Sequence, residues 1–379
     1  MKTNLKKLLY SGVTLMSLGV LAACSTASSS TTTSSSVATS QTSVATSSSS
    51  TSSSSSSSSI DWSALPTTEV TLSNDGLKIT EGGTYILTGS TTAGVTVETD
   101  ANVRIILAGA DISSSDNAAI NVIKADNVEL EIKDGTSNTV KDTSNHSDTN
   151  IEGAIHVEAD LTITGNGNLT VEGNFQDGIV STDDLVINAS NIKVTAVDDG
   201  IRGKDSLTIN GGTIDVTAGG DGIKSTNDTD TTKGYTTITG GDITVKAGDD
   251  AIKAETALTI DGGTITVSES LEALEGTNIT INGGTLDVYG SDDAINAAST
   301  TSTDIFIKVT GGDLKVAVGS GDTDAFDANG DIYVSGGTID VTAQSAFDFD
   351  GTAELTGGTV TVNGEQISQI VATGPGARW

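Results

Sequence analysis

A motif of about 22 residues recurs along this chain and constrains its fold more than any other feature. It is clearest at Asp199-Gly200-Ile201-Arg202, which residues 207–216 (LTINGGTIDV) follow, and it returns at 221–224 and 250–253. One copy holds three short apolar strands separated by turns, which is too little to bury a face alone. Stacked copies bury a continuous core. The repeat therefore predicts a solenoid with a long, regular surface lined by carboxylates.

Three columns of apolar residues can be traced through the copies, and their period-two alternation predicts strands. The first column is Ile155, Ile179, Ile201, Ile223, Ile252, Leu274, Ile295, Phe326 and Phe347. The second is Ile163, Ile187, Ile209, Ile238, Ile260, Ile281, Ile307 and Val334. The third is Ile192, Ile214, Ile243, Ile265, Leu286, Leu314, Ile339 and Val360. Three strands per repeat predict an all-β parallel β-helix of about thirteen coils.

Glycine pairs such as Gly211-Gly212 mark sharp corners, and a column of Asn, Asp, Thr and Ser precedes them. We expect those side chains to hydrogen-bond along the helix axis. Open ends would expose unpaired backbone, so caps are expected at 60–72 and 366–379, where Trp62 and Trp379 lie.

The N-terminus is typical of a targeting segment. Basic residues precede a short apolar run, and Leu21-Ala22-Ala23-Cys24 resembles a bacterial lipobox. This predicts a signal peptide over 1–23, lipidation of Cys24, and a disordered Ser/Thr-rich stalk over 24–59 that carries the domain at 60–379. The alternatives are an ordinary secretory signal with a stray cysteine, or a membrane helix.

The formal net charge is −32, which argues against nucleic acid or anionic lipid as a direct partner. Acidity serves solubility in many proteins. It also suits divalent cations, because hard cations prefer oxygen ligands.

A column of acids lies just before the first apolar column. Its members are Asp177, Asp199, Asp221, Asp250, Glu272, Asp293 and Asp324. Stacked about 5 Å apart, these charges need a neutraliser. Arg202, Lys224 and Lys253 supply one in three coils. The equivalent positions further along are Glu275, Asn296, Asp327 and Asp348, none of them basic.

Calcium is the second candidate neutraliser. The predicted ligand clusters are Asp292 and Asp293 with Asn296; Asp322, Asp324 and Asp327 with Asp348 and Asp350; and Asp198 and Asp199 with Asp221. None of them matches the EF-hand loop. No nucleophile constellation is apparent in the sequence. His146 and His156 are the two histidines, and the strand context of His156 favours a structural role. A lyase would need a Lys or Arg base, and acids beside Arg202, Lys204, Lys224 and Lys253 would keep those side chains protonated.

Two blocks carry a family resemblance: 83–89 (GTYILTG) followed by 103–112 (VRIILAGADI), then the Asp-Gly-Ile repeats. Together they resemble a family of secreted bacterial carbohydrate-binding proteins with a polysaccharide-lyase-like right-handed β-helix. The resemblance implies calcium along the helix, affinity for cellulose and polygalacturonate, and a lyase-like shape without established lyase activity. The matching acidic positions here are Asp198, Asp199, Asp221, Asp249 and Asp250. Aromatic residues make up 3% of the chain, so an anionic sugar bridged through calcium suits this surface better than crystalline cellulose.

Three functions remain open at this point. The favoured one is a non-catalytic lipoprotein, lipid-anchored at the extracellular face of the bacterial membrane and monomeric, that binds acidic polysaccharide through calcium. The others are a calcium-dependent polysaccharide lyase and a structural wall spacer or adhesin.

Overall fold

The computed structural model describes residues 60–321 and 323–373. The predicted signal peptide, Cys24, the stalk, Asp322 and Trp379 lie outside the described residues. A 3₁₀-helix at Trp62–Ala64 precedes a series of strands. The strands are β1 (Thr67–Leu72), β2 (Leu77–Ile79), β3 (Gly83–Thr91), β4 (Val95–Glu98), β5 (Val103–Ser113), β6 (Ile120–Lys124), β7 (Asn127–Ile132), β8 (Ser137–Lys141), β9 (Gly153–Val157), β10 (Asp160–Gly165), β11 (Asn168–Gly173), β12 (Asp177–Ser181), β13 (Asp184–Ile187), β14 (Asn191–Ala196), β15 (Ile201–Gly203), β16 (Ser206–Ile209), β17 (Thr213–Thr217), β18 (Ile223–Ser225), β19 (Tyr235–Ile238), β20 (Asp242–Lys246), β21 (Ile252–Ile260), β22 (Thr264–Glu269), β23 (Leu274–Ile281), β24 (Thr285–Gly290), β25 (Ile295–Ala297), β26 (Phe306–Val309), β27 (Asp313–Val318), β28 (Asp324–Ala328), β29 (Asp331–Thr342), β30 (Ser345–Phe349), β31 (Ala353–Val362) and β32 (Glu365–Gln366).

The strands form three parallel ladders that wind into a solenoid. Ladder A is β1-β3-β5-β7-β10-β13-β16-β19-β21-β23-β26-β29-β31. Ladder B is β5-β8-β11-β14-β17-β20-β22-β24-β27-β29-β31. Ladder C is β2-β4-β6-β9-β12-β15-β18-β21-β23-β25-β28-β30. The described residues are thus all-β, and the length of ladder A agrees with about thirteen coils; the right-handed winding stays a prediction.

The register confirms the first and third apolar columns and corrects the second. Along ladder C, Ile201 pairs with Ile223, and the row ends with Phe326 on Phe347, whose rings stack at 5.2 Å. In ladder A the partner of Ile281 is Val309, whereas Ile307 pairs with Ile279. Placing Ile307 in the column was therefore wrong by two residues. The inserted segment before β26 lengthens that coil, so the repeat spacing in the sequence does not show which residue occupies the column.

The interior is a continuous apolar core, because every second strand residue points inward. Ile201, Ile223 and Ile252 are completely buried, as are most of their counterparts in the other ladders. Burial of one such side chain contributes about 1.5–3 kcal/mol before conformational entropy is counted. Stacked coils thus supply the stability that one repeat lacks.

The corner after ladder A shows why glycine recurs there. Gly212 has φ +103°, and a Cβ at this position would lie 2.5 Å from the Ser190 carbonyl oxygen of the preceding coil. The polar column beside the corner forms the predicted axial hydrogen bonds. Asn210 Nδ2 donates to Asn188 Oδ1 at 2.9 Å, and Thr239 Oγ1 donates to Asn210 Oδ1 at 2.8 Å.

The two ends differ from the expected caps. Residues 67–72 form β1, a regular rung of ladder A, so the described N-terminal cap is confined to 60–66, where Trp62 stays partly exposed. At the other end, β32 pairs antiparallel with β31, Ile370 is buried, and Thr373 Oγ1 accepts from the Ala346 N–H at 2.8 Å. Among the described residues, no helix is long and apolar enough to cross a bilayer.

Candidate functional site

The acid column forms a buried hydrogen-bonded ladder at the edge of ladder C. Asp177 Oδ1 accepts from the Asp199 N–H at 3.2 Å. Asp199 Oδ1 accepts from the Asp221 N–H, and Asp221 Oδ1 accepts from the Asp250 N–H, both at 2.9 Å. All four residues are buried. The carboxylates of Asp177, Asp199 and Asp221 therefore each satisfy a backbone donor of the next coil, which gives these three aspartates a structural role with one oxygen left for another partner.

Basic residues supply that partner in three successive coils. Arg202 contacts Asp177 Oδ2 at 2.8 Å and also pairs with Glu152. Lys224 Nζ lies 2.5 Å from Asp199 Oδ2 and 2.9 Å from Asp221 Oδ2. Lys253 Nζ lies 2.8 Å from Asp250 Oδ2 and also pairs with Glu275. The predicted ion-pair ladder is present in this stretch.

The outward row, meaning the ladder C residues that directly follow the first apolar column, then changes from basic to acidic. Ladder C places Lys224 next to Lys253, then Glu275, Asn296, Asp327 and finally Asp348, with no basic residue after Lys253. Burial raises the pKa of Asp327 to about 7, and the charges of Asp293, Asp324 and Asp348 add to the shift. Burial likewise raises the pKa of Glu272 to about 7, with Asp250 as the next cause. Burial also raises the pKa values of Asp177 and Asp250 to about 7 beside their bases, so the absence of basic residues, and not the pKa alone, distinguishes this stretch.

Three carboxylate triads among the described residues bring their oxygens within 4.8 Å of one another, a spacing that suits one oxygen-loving cation. They are Asp177–Asp198–Asp199, Asp221–Asp249–Asp250 and Asp250–Glu272–Glu275. The first two contain acids that Arg202, Lys224 and Lys253 already neutralise. The third, here the Glu272 triad, faces Lys253 alone, which contacts both Asp250 and Glu275, so one positive charge serves three carboxyls. The residues fit a hard cation best at the Glu272 triad.

The predicted metal residues fall in different places. Asp198 and Asp199 share a triad with Asp177, whereas Asp221 shares one with Asp249 and Asp250. Asp293 accepts from the Asp324 N–H at 2.7 Å. Asp327 and Asp348 are neighbours on ladder C. Exposed acids that join no triad are Asp292 and Asp350. Asp322 lies outside the described residues, so its cluster stays a prediction.

Asp177, Glu272 and Glu275 are triad members absent from the predicted ligand set. Asp177 and Glu272 belong to the acid column, so the signal for them was present. Glu275 follows the apolar residue Leu274, where the earlier coils carry a base, and it pairs with Lys253 of the preceding coil.

A cleft of about 560 Å³ opens beside the Glu272 triad. Segments 226–234 and 298–305 are inserted at the same corner and form its two walls. Between them β21 and β23 run through the corner without insertion, and their residues Glu255, Thr256, Thr277 and Asn278 form the floor. Glu275 and Lys253 belong to both the cleft and the acid edge. The cleft is lined by hydroxyls, amides and carboxylates, which are groups that hydrogen-bond sugars.

The residues that could act as the base of a lyase have pKa values unsuited to that role. Carboxylates around Lys253 hold its pKa far above the usual range despite burial, and the pKa values of Lys224 and Arg202 are also raised. A general base needs a pKa near the working pH. His146 is fixed structurally, with Nε2 3.0 Å from Asp142 Oδ2 and its ring stacked on Phe175.

Comparisons with known proteins agree with this architecture. A family model described as carbohydrate-binding domain-containing protein matches residues 73–325. A carbohydrate-binding domain-containing protein of Acetivibrio thermocellus is 34% identical over 135 residues, which is 34% of this chain and 47% of that protein. The chain therefore spans about half the length of that relative. A solved structure of a polysaccharide lyase-like protein from C. thermocellum, a gadolinium derivative, superposes with a TM-score of 0.54 at 33% identity. That match covers 58% of this chain and 95% of the other. Because the family model matches well over half of its length, this chain belongs to the carbohydrate-binding domain-containing protein family.

Proposed function

We propose that this protein is a non-catalytic, monomeric polysaccharide-binding protein that holds an acidic, pectin-like glycan through calcium at the Glu272 triad. The observation that carries the proposal is the position of this triad. It lies where the row of bases ends, and its Glu275 opens into the cleft.

Charge explains why calcium is needed. The cleft carries Asp228, Asp230, Glu255 and Glu275, and Lys253 is already committed to Asp250 and Glu275. A polyanion would be repelled from such a surface. A calcium ion that takes oxygens from the triad and from the glycan reverses that balance, because calcium accepts six to eight oxygen ligands.

The related polysaccharide lyase-like protein of known structure is a gadolinium derivative. Gadolinium, like calcium, is a hard cation that prefers oxygen ligands. On the cell, cleavage of the signal peptide and lipidation of Cys24 would anchor the domain at the extracellular face of the membrane, with residues 24–59 as a spacer.

The test is retention of the full chain on immobilised polygalacturonate, in calcium and in chelator. Retention in calcium that chelator abolishes supports the proposal. A Glu272→Gln variant should lose most of that retention. Glu269→Gln, an exposed acid paired with Lys246, is the matched control and should keep it. Absence of retention in calcium would refute the proposal and favour a structural spacer. Release of unsaturated uronide ends would instead indicate a lyase.

A further inference from the structure

A second recess lies on ladder C, on the N-terminal side of the lysines. It has a volume of about 220 Å³ and extends over three successive coils, with His156 and Glu158 at one side and Arg202 and Lys204 at the other. The register places Val180 between His156 and Arg202, so Thr182 lies between Glu158 and Lys204. Two rungs separate the sides by about 10 Å, which admits one sugar residue.

His156 provides an independent sign of a ligand. This residue lines the recess and is 3% exposed. Nδ1 has no hydrogen-bond partner among the described residues. Buried polar atoms in native proteins are nearly always paired, so an orphaned ring nitrogen beside a cavity indicates a missing partner. Burial lowers the pKa of His156 to about 4, so the ring is neutral near pH 7 and offers one donor and one acceptor.

The charges in the recess differ from those of the cleft. Arg202 is committed to Glu152 and Asp177. Lys204 is exposed and forms no ion pair among the described residues. The recess thus presents an uncommitted cation beside the carboxylate of Glu158, whereas the one lysine of the acidic cleft, Lys253, is already paired.

We propose that this recess, the His156 pocket, binds one carboxylate-bearing sugar residue without a metal ion. Lys204 pairs with the sugar carboxylate, and His156 and Glu158 hydrogen-bond its hydroxyls. The inference rests on the proposed function only in taking the same class of glycan. The ion pair and the charge-assisted hydrogen bonds give the pocket its preference for an acidic sugar.

The test observes the two histidines of the chain by NMR in the full-length protein, with chelator present throughout. Digalacturonate is the probe, and cellobiose is the neutral comparison. Digalacturonate should shift the His156 ring signals and leave those of His146, held by Asp142 and Phe175, unchanged. An equal response to cellobiose would overturn the preference for a carboxylate, and no response to either sugar would overturn the site.

A pair of variants tests whether Lys204 is the cation that pairs with the sugar carboxylate. Lys204→Ala should weaken digalacturonate binding about tenfold, the loss expected for a charged hydrogen-bonding partner. Lys308→Ala removes an exposed lysine on ladder A and should leave binding unchanged. Equal affinity of the two variants would refute the role of Lys204. Because chelator is present, this experiment can fail while calcium-dependent retention survives, and the reverse also holds.

Discussion

The outward row of ladder C is neutralised differently along its length. From Arg202 to Lys253, each coil carries a base that contacts two carboxylates. From Glu275 to Asp348, the same positions are acidic or amide, while the parallel pairing of ladder C continues. The first stretch therefore carries its own positive charges on ladder C, whereas the second carries none there. Function is expected where the fold leaves charge uncompensated.

The largest effect is expected from removing a base in the first stretch. Lys224→Met leaves Asp199 and Asp221 buried without their cation and should destabilise the protein by about 3 kcal/mol. Lys193→Met is the control. Its pair with Asp215 is exposed, so the loss should stay below about 1 kcal/mol. Denaturant unfolding measures both, and equal losses would show that the buried ladder does not depend on its bases.

The second prediction concerns pH in the second stretch. Buried Glu272 and Asp327 have pKa values raised to about 7, well above those of the unfolded chain, and Asp177 and Asp250 beside their bases share this shift. The stability linked to their protonated forms is lost as pH rises through 7. In chelator, the melting temperature should fall between pH 6.5 and 8.5, and calcium should reduce the fall because the metal replaces the protons.

His156 shifts in the opposite direction, since burial lowers its pKa, and its effect is confined to pH below its ordinary value of about 6.5. Asp327→Asn should flatten the slope above that pH. A melting temperature that rises from pH 6.5 to 8.5 in chelator would contradict the charge assignment.

The smallest effect is expected from introducing a base into the stretch of ladder C that lacks one. Asn296 aligns with Glu275 and, two rungs back, with Lys253. Asn296→Lys therefore grafts a base beside Glu272 and Asp293 and should stabilise the chelated protein by about 1 kcal/mol. Asn296→Gln keeps the neutral amide and should have no such effect. Thermal melts in chelator compare the two, and the grafted lysine should also reduce the gain in stability from calcium.

The repeat fixed most of the fold in advance, because the spacing of Ile201, Ile223 and Ile252 dictates both strand period and coil length. Within the apolar columns, the predicted register was wrong only at Ile307, because the insertion before β26 obscures the register. The acid column was also visible, yet Glu275 was missed as a member of the triad, since only the folded coil brings it to Asp250 and Glu272. The His156 pocket depends on Arg202 and Lys204 from coils about 46 residues away along the chain, which no local motif reports.

The most direct test of the central claim is calorimetric titration of calcium into the full chain after removal of bound metal. The account predicts calcium uptake that Glu272→Gln with Glu275→Gln strongly weakens and Glu269→Gln leaves unchanged. Undiminished uptake in the double variant, or no uptake by the wild-type chain, would contradict the assignment of the Glu272 triad as the site where calcium completes the row.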